Sequence, residues 1–195
     1  MIGAMRILAI DTSCGACSAA VFDGAARVAL ARRSEPMAHG QAVALGPMVE
    51  AVMGEVEGGF ASLGQIAVAI GPGSFTGIRI GLAMARAIAL TLGVPVVGVS
   101  TLVAFAAPLL DEPQAATIVS AIDARHGSCY FQAFAAEAQR IGIPSEALGA
   151  AFPDIVAIAR IGLAADPTDW PARPLYVKPP DAKPANADAI ARVEG

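Results

Sequence analysis

The start of the chain is built from short apolar runs separated by small and polar residues. Residues 6–10 form an apolar run that ends at Asp11, and residues 18–22 and 26–31 form two more runs of strand length. Asp23 and Gly24 lie between the second and third runs and have the chemistry of a hairpin turn. The pattern predicts three consecutive strands.

Helical spacing alternates with strand-length runs in the next part of the chain. The pattern predicts strands at residues 65–70 and 94–99, and helices at residues 41–56, 75–92 and 101–110. Ser74 is a good N-cap for the second helix, whereas Pro47 inside the first predicts a kink or a late start. Strands that alternate with helices predict an α/β fold, in which a mixed sheet is flanked by helices.

A strand that ends in an aspartate occurs a second time. Residues 116–122 form a run that ends at Asp123, and residues 127–134 form a return strand. We interpret this as an imperfect internal duplication. It predicts an N-terminal lobe at residues 1–112 and a shortened C-terminal lobe with a tail at residues 113–195. The elements predicted after the second hairpin are a helix at residues 153–165 and a strand-like piece at residues 175–177.

The composition is that of a folded protein without a strong charge preference. Hydrophobic residues make up 55% of the 195 residues and charged residues 15%, which excludes disorder of the body of the chain. The formal net charge is −4, so tight independent binding to nucleic acid is not expected. Three cysteines do not form a disulfide framework, and the N-terminus lacks a signal-peptide pattern, so we expect a cytoplasmic protein.

One uncharged stretch has the length of a membrane span. No residue from 87 to 110 is charged, but Gly93, Pro95, Gly98 and Pro108 interrupt the stretch. A helix end, a buried strand and a new helix start explain this pattern better than a transmembrane helix does.

The sharpest local motif is the glycine-rich stretch of residues 71–79, between a predicted strand and a predicted helix. Such a loop brings backbone N–H groups to an anion at the helix start. The candidate anion- or nucleotide-binding residues are Asp11, Gly71, Gly73, Ser74, Thr76, Gly77, Arg79 and Asp123. The loop is neither a Walker A motif nor a dinucleotide fingerprint, and a turn that needs glycine for steric reasons alone stays open as the alternative.

The helix after this loop is apolar on nearly all sides. Small residues recur every four positions along it, at Gly77, Gly81, Ala85 and Ala89. A stripe of small residues lets another helix approach closely, and a short chain has little material to cover a helix all round. We therefore expect the stripe to contact a partner subunit, with a neighbour inside the same chain as the alternative.

Candidate catalytic carboxylates are limited to Asp11 and Asp123, which occupy corresponding positions in the two hairpins. A pair of carboxylates can hold a metal or exchange protons with a substrate. An aspartate at the end of a strand also caps the following turn with its side chain, which is the alternative for both residues.

The cysteines and histidines give weak signals. Cys14 and Cys17 form a C-x-x-C motif, but in a predicted turn between strands rather than at a helix start, so we interpret them as buried thiols. His39 and His126 are far apart, without metal-site spacing, and no serine-nucleophile motif is present. We therefore expect no metal site.

Five stretches of the sequence resemble one known family, the bacterial TsaB (YeaZ) proteins. They are residues 7–24, 39–53, 66–102, 120–134 and 174–184. The most specific part is G-P-G-S-F-T-G-I-R-I-G at residues 71–81, followed by G-V-P-V-V-G-V-S-T-L at residues 93–102. The resemblance covers the first two thirds of the chain well and the tail in patches.

The resemblance implies the actin/sugar-kinase/Hsp70-like fold with RNase H-like lobes. It implies a non-catalytic subunit, without a cofactor of its own, in the formation of N6-threonylcarbamoyladenosine at position 37 of tRNA. In this family the paralogue TsaD carries the metal-binding histidines and the transfer chemistry, and the ATPase TsaE joins the complex. A TsaB protein would pair with TsaD, form a homodimer when alone, and reach tRNA only through the complex.

The family pairs through helices of the first lobe, which places the interface on residues 41–56 and 75–92. The implied interface residues are Val43, Met48, Val52, Phe75, Ile78, Gly81, Leu82 and Ala85. The region between Phe134 and Pro174 is shorter than the family pattern, so the second lobe is reduced. The alternative function is a small nucleotide-dependent phosphotransferase or hydrolase of the same superfamily that uses Asp11 and Asp123.

Overall fold

A computed structural model describes residues 5–110, 118–125, 128–134 and 152–176. Its centre is a five-stranded mixed sheet with the strand order β3-β2-β1-β4-β5. The strands are β1 (Arg6–Asp11), β2 (Ala16–Asp23), β3 (Val28–Pro36), β4 (Leu63–Gly71) and β5 (Val96–Ser100). Strand β2 pairs antiparallel with β1 and β3, whereas β1, β4 and β5 run parallel. The predicted strands are confirmed, and β3 extends five residues further than expected.

Four α-helices accompany the sheet within the described ranges. They are α1 (Gln41–Gly54), α2 (Phe75–Leu92), α3 (Thr101–Leu110) and α4 (Ile155–Ala164). Helix α1 begins at Gln41 and contains Pro47, so the prediction of a late start is wrong. Ser74 caps α2 as predicted, because its hydroxyl accepts a hydrogen bond from the Gly77 N–H at 3.2 Å.

The second aspartate-ended strand forms a separate hairpin. Strands β6 (Ile118–Arg125) and β7 (Ser128–Phe134) pair antiparallel in a two-stranded sheet, as predicted. The hairpin packs against α3, and the Ser120 hydroxyl donates a hydrogen bond to the Leu102 carbonyl at 2.7 Å. His126, one of the histidines considered as a metal ligand, lies outside the described residues.

The core lies on both faces of β1, because this strand is in the middle of the sheet. Leu8 and Ile10 point to the face covered by α1 and α2, whereas Ile7 and Ala9 point to the face covered by α4. All four side chains are fully buried. The uninterrupted apolar run of β1 therefore follows from its burial on two sides.

Helix α4 completes the first sheet, although its sequence lies in the predicted C-terminal lobe. Ile155, Ile158 and Ala159 are buried against the sheet, and the Gln65 side-chain amide donates a hydrogen bond to the Gly162 carbonyl at 3.0 Å. Glycine allows this approach, since a Cβ at Gly162 would overlap the Ala67 side chain and lie 3.0 Å from Ile7 Cδ1.

The segment after α4 passes around the β5 edge of the sheet. The Trp170 carbonyl accepts a hydrogen bond from the Gly98 N–H at 2.9 Å, and the Leu175 N–H donates to the Ile70 carbonyl at 2.8 Å. The strand-like piece predicted at residues 175–177 is not a strand where the structure describes it, at Leu175 and Tyr176. Residue 177 lies outside the described part.

The uncharged stretch at residues 87–110 divides as predicted into the end of α2, strand β5 and helix α3. Within the described ranges, α2 is the one helix long and apolar enough to cross a membrane by length and composition. In this fold it packs along β4, with one side buried against the sheet.

The close approach of α4 generates a stability prediction. Gly162→Ala should lower the free energy of unfolding by about 1–3 kcal/mol, because the added methyl group forces α4 away from Ala67. Urea denaturation of the full chain measures the effect. Gly54→Ala, where a Cβ meets nothing within 4 Å, is the matched control and should be close to neutral. Equal stability of both variants would contradict the docking of α4 on this sheet.

Candidate functional site

The turn between β1 and β2 and the start of α2 are packed against each other. The Asp11 carboxylate accepts a hydrogen bond from the Ser13 N–H at 2.7 Å, which folds the chain back after β1. The Ser13 carbonyl then accepts from the Ser74 N–H at 2.7 Å, and the Thr12 hydroxyl donates to the Gly77 carbonyl at 2.6 Å. The glycine-rich loop predicted to bind an anion is thus bonded to its own chain.

Two glycines of the loop are required by this approach. A Cβ at Gly73 would overlap the Ser13 carbonyl, and a Cβ at Gly77 would overlap the Thr12 carbonyl. Gly71 adopts a φ of +102°, a backbone conformation that residues other than glycine rarely adopt. The steric alternative left open by the sequence therefore accounts for the motif without a ligand.

Three donors at the start of α2 are used internally. The Ser74 N–H binds the Ser13 carbonyl, the Gly77 N–H binds the Ser74 hydroxyl, and the Ile78 N–H binds the Ser74 carbonyl at 2.9 Å. These three N–H groups are not free to bind an anion. Of the candidate residues in this loop, Ser74, Thr76 and Arg79 are exposed.

The two candidate carboxylates lie in different environments. Asp11 is only 3% exposed and Asp123 lies on an exposed position of β6, in the other sheet. Burial raises the pKa of the Asp11 carboxyl, and the hydrogen bonds from Ser13 oppose this shift. Asp11 behaves as the turn-capping aspartate that was the alternative to a catalytic role.

A buried polar cluster surrounds Asp11 and was not predicted from the sequence. The Thr101 hydroxyl donates a hydrogen bond to the Ser13 hydroxyl at 3.2 Å, and both residues are fully buried. Ser18, directly opposite Asp11 in the β1–β2 ladder, is also buried, and its hydroxyl has no hydrogen-bond partner among the described residues. These residues come from separate elements, so only the fold brings them together.

Cys14 and Cys17 are poor nucleophiles. Burial, followed by the negative charge of Asp11, raises the pKa of Cys14 to about 12. Burial, followed by the charges of Glu35 and Asp11, raises the pKa of Cys17 to about 11. Both thiols are free and remain protonated at neutral pH, which supports their interpretation as structural residues. In the part of the chain that the structure describes, no three His, Cys, Asp or Glu side chains are grouped to hold a metal.

The small-residue stripe of α2 faces the sheet of its own chain. A Cβ at Gly81 would lie 2.8 Å from the Thr12 hydroxyl and 3.4 Å from Val68 Cγ2, and Ala85 is fully buried. The expectation that this stripe contacts a partner subunit is therefore wrong, because small residues here let the helix approach β1 and β4. Six of the implied interface residues are buried in this core: Met48, Val52, Ile78, Gly81, Leu82 and Ala85.

The outer side of α1 and α2 forms an exposed apolar layer, which we call the α1–α2 face. Val43 is 80% exposed, Phe75 50% and Leu90 86%. Ala83 and Ala87 are exposed between them on α2, and Pro47 is exposed on α1. Val43 and Phe75 were among the implied interface residues, whereas Leu90 was not. The sequence did carry a signal for Leu90, because α2 is apolar on nearly all sides and some of its apolar residues therefore had to be exposed.

An aromatic–cation cluster lies at the start of α2. The Arg79 guanidinium lies over the Phe75 ring, 3.7 Å from its centroid, and its Nε donates a hydrogen bond to the Tyr176 hydroxyl at 3.0 Å. The Phe75 and Tyr176 ring centroids are 5.5 Å apart. Tyr176 comes from the segment after α4, which the sequence did not connect with this helix.

Comparisons with known proteins agree with the fold. A family model described as "TsaD: tRNA N6-adenosine threonylcarbamoyltransferase" matches residues 35–168. The structure of YeaZ from Pseudomonas aeruginosa superposes with a TM-score of 0.71 at 24% identity, and the match covers 89% of this chain and 100% of that chain.

Two relatives are similar in sequence. The tRNA threonylcarbamoyladenosine biosynthesis protein TsaB of Escherichia coli K12 is 35% identical over 153 residues, which are 78% of this chain and 64% of that protein. An uncharacterized protein of Mycobacterium tuberculosis is 31% identical over 204 residues, covering 91% of this chain and 94% of that protein. The chain spans about half to two thirds of the length of the curated TsaB proteins that it matches.

The contact between the β1–β2 turn and α2 generates a second stability prediction. Gly77→Ala should lower the free energy of unfolding by about 2 kcal/mol or more, because the new methyl group meets the Thr12 backbone, which cannot rotate away. Gly46→Ala is the control, since its Cβ meets only Met84 Cε, at 3.9 Å. Unchanged thermal stability of the Gly77 variant would show that the turn does not pack here.

The burial of Asp11 predicts a pH-dependent effect. Asp11→Asn keeps an oxygen that can accept from the Ser13 N–H but removes the charge that burial disfavours. Because the folded-state pKa is raised, the wild-type chain loses stability as pH rises through that pKa, and the variant does not. The variant should melt at higher temperature at pH 7.5, with an advantage that shrinks toward about pH 4. Thermal unfolding followed by circular dichroism across this range checks it; a variant less stable at every pH contradicts it.

Proposed function

The chain belongs to the TsaB/YeaZ family, and from this premise we propose that it is a subunit of the machinery that forms N6-threonylcarbamoyladenosine at position 37 of tRNA. In this proposal it has no catalytic residues of its own and pairs with a TsaD paralogue, which carries the chemistry. Names of relatives support the pathway: similar proteins are described as threonylcarbamoyladenosine biosynthesis proteins, and the matching family model is described as a threonylcarbamoyltransferase.

The α1–α2 face is the single observation that carries the pairing role. Exposed apolar residues on two adjacent helices indicate an interaction surface, because a protein that acts alone gains nothing from leaving them in water. Its exposed apolar residues are Val43 and Pro47 on α1 and Phe75, Ala83, Ala87 and Leu90 on α2. We therefore propose α1 and α2 as the interface, through their outward residues rather than through the buried stripe.

The closed glycine-rich loop supports a role without catalysis. Asp11 is turned into the β1–β2 turn, and the start of α2 is bonded to Ser13 and Thr12. A phosphotransferase or hydrolase that uses Asp11 and Asp123 would need an open site at this position. ATP turnover by the isolated chain that disappears in Asp11→Asn would nevertheless replace the proposed function with that alternative.

The remaining partners follow from the pairing role. We propose that the TsaE ATPase joins the complex, that ATP and metal bind the partner subunits, and that the chain forms a homodimer when alone. A net charge of −4 supports tRNA contact through the complex rather than by this chain independently. The division into lobes at residues 1–112 and 113–195 stays a proposal, with α4 packed on the first sheet.

The proposed function is tested by depleting the protein in its own organism and measuring threonylcarbamoyladenosine in tRNA by mass spectrometry. We expect the modification to fall and to return when the wild-type gene is supplied. Normal modification after full depletion would contradict the proposal. Size-exclusion chromatography with light scattering, on the chain mixed with the TsaD paralogue, tests pairing directly.

Surface variants test whether the exposed residues of α1 and α2 form the interface with the TsaD paralogue. Val43→Glu and Leu90→Glu should each weaken pairing with the TsaD paralogue by about tenfold or more, because each places a charge in an apolar interface. Neither variant should alter the melting temperature, since both side chains are exposed. Val28→Glu, on the exposed edge strand β3, is the matched control and should pair normally. Normal pairing of all three variants would place the interface elsewhere.

A further inference from the structure

The aromatic–cation cluster at the start of α2 holds Arg79 in one orientation. One face of the guanidinium lies on the Phe75 ring, and its Nε is bonded to the Tyr176 hydroxyl. Tyr176 is fixed in turn, because the neighbouring Leu175 N–H binds the Ile70 carbonyl at the end of β4. An exposed arginine normally samples many rotamers, and fixing one of them on binding costs conformational entropy. Because the cluster already fixes Arg79, binding of a partner costs less of this entropy.

The terminal nitrogens of Arg79 remain unused. In the described ranges they have no hydrogen-bond acceptor, and the salt bridges there join other residues, Arg6 to Asp23 and Arg33 to Glu55. Helix α2 contains Arg79 and Arg86 but no acidic residue. Arg86 donates to the Ala172 carbonyl and so holds the same segment that carries Tyr176. A preorganised guanidinium edge is therefore without an acceptor among the described residues.

From this geometry we infer that Arg79 binds a carboxylate of the partner subunit, with Phe75 and Tyr176 as the aromatic positions around the ion pair. The inference rests on the proposed function, since the partner is the TsaD paralogue. The inference adds one element to the surface of this chain that binds the partner. This surface includes the segment after α4, through Tyr176, as well as the helices of the first lobe. Arginine flanked by aromatic rings is the composition typical of the residues that dominate protein–protein binding energy.

A carboxylate suits the cluster better than a phosphate of nucleic acid does. The chain is acidic overall, and a nucleic-acid site normally presents several cations along a stripe. The other arginine of α2, Arg86, already donates to the Ala172 carbonyl, and Phe75, beside Arg79, belongs to the apolar α1–α2 face. The free terminal N–H groups of a planar guanidinium match a carboxylate in bidentate geometry, and exclusion of water by apolar neighbours strengthens the pair.

The experiment is a titration of the full-length chain with the full-length TsaD paralogue, at low and high salt, by isothermal titration calorimetry. Arg79→Gln should weaken binding about tenfold and reduce its salt dependence, because the ion pair is lost. Arg79→Lys should bind with intermediate affinity, since the charge remains without the planar fork. Tyr176→Phe should bind more weakly than wild type, because it keeps the ring but removes the acceptor for Nε. Arg32→Gln, on the exposed edge strand β3, makes the same charge change away from α2 and should bind as wild type.

Each other outcome has a defined meaning. Wild-type affinity and salt dependence of Arg79→Gln, with wild-type pairing intact, would overturn the inference and leave the proposed function in place. Absence of pairing by the wild-type chain would overturn both. Equal loss of binding affinity in Arg79→Gln and Arg32→Gln would overturn the inference, because it would show that only the overall charge of the chain matters. Loss of tRNA or ATP binding, or of self-association, in Arg79→Gln while pairing stays normal would assign the arginine to that ligand instead. Melting temperatures of all variants control for unfolding.

Discussion

The close approach of α2 to the β1–β2 turn is the constraint on which the rest of this structure depends. Gly73 and Gly77 let the helix start lie directly on the backbone of Ser13 and Thr12, and Gly81 continues the contact along β1. Side chains at these positions would lift the helix from the sheet. Because the small side of α2 is turned inward, its larger apolar residues on the opposite side, such as Leu90, are left in solvent.

The same contact closes the loop that could have held an anion. The Ser74 N–H and the Thr12 hydroxyl are donors that a phosphate could accept from. Here they donate to the Ser13 and Gly77 carbonyls instead. Asp11 is buried behind this contact with a raised pKa, which is unfavourable for a carboxylate that must work as a charged group. The loop thus stabilises the position of α2, and its function is indirect: it determines what the helix presents outward.

Local pattern predicted the elements well, because β1, β2, β4 and β5 are largely buried apolar runs and α2 has a side-chain cap and periodic apolar residues. It was harder to predict which part of the molecule each helix face packs against. The α2 stripe was assigned to a partner because sequence cannot tell that the Thr12 carbonyl, far away in the chain, lies against Gly77. The docking of α4 and the contact of Tyr176 with Arg79 likewise join residues nearly one hundred positions apart. Periodicity carries no information about such pairs. The family resemblance implied the fold and the helices of the proposed interface, but not which side of each helix is exposed.

The segment after α4 belongs to the C-terminal part of the chain but contributes to the surface beside α2. It crosses the β5 edge, is held by Arg86 at Ala172 and by Ile70 at Leu175, and ends beside Phe75. Three separate contacts fix its path, so its last described residue has a defined position on the α1–α2 face. The contacts of this segment hold Tyr176 beside Arg79 and so keep the arginine ordered. The surface next to α2 therefore depends on both ends of the sequence, and a truncation before residue 170 would alter it without touching either helix.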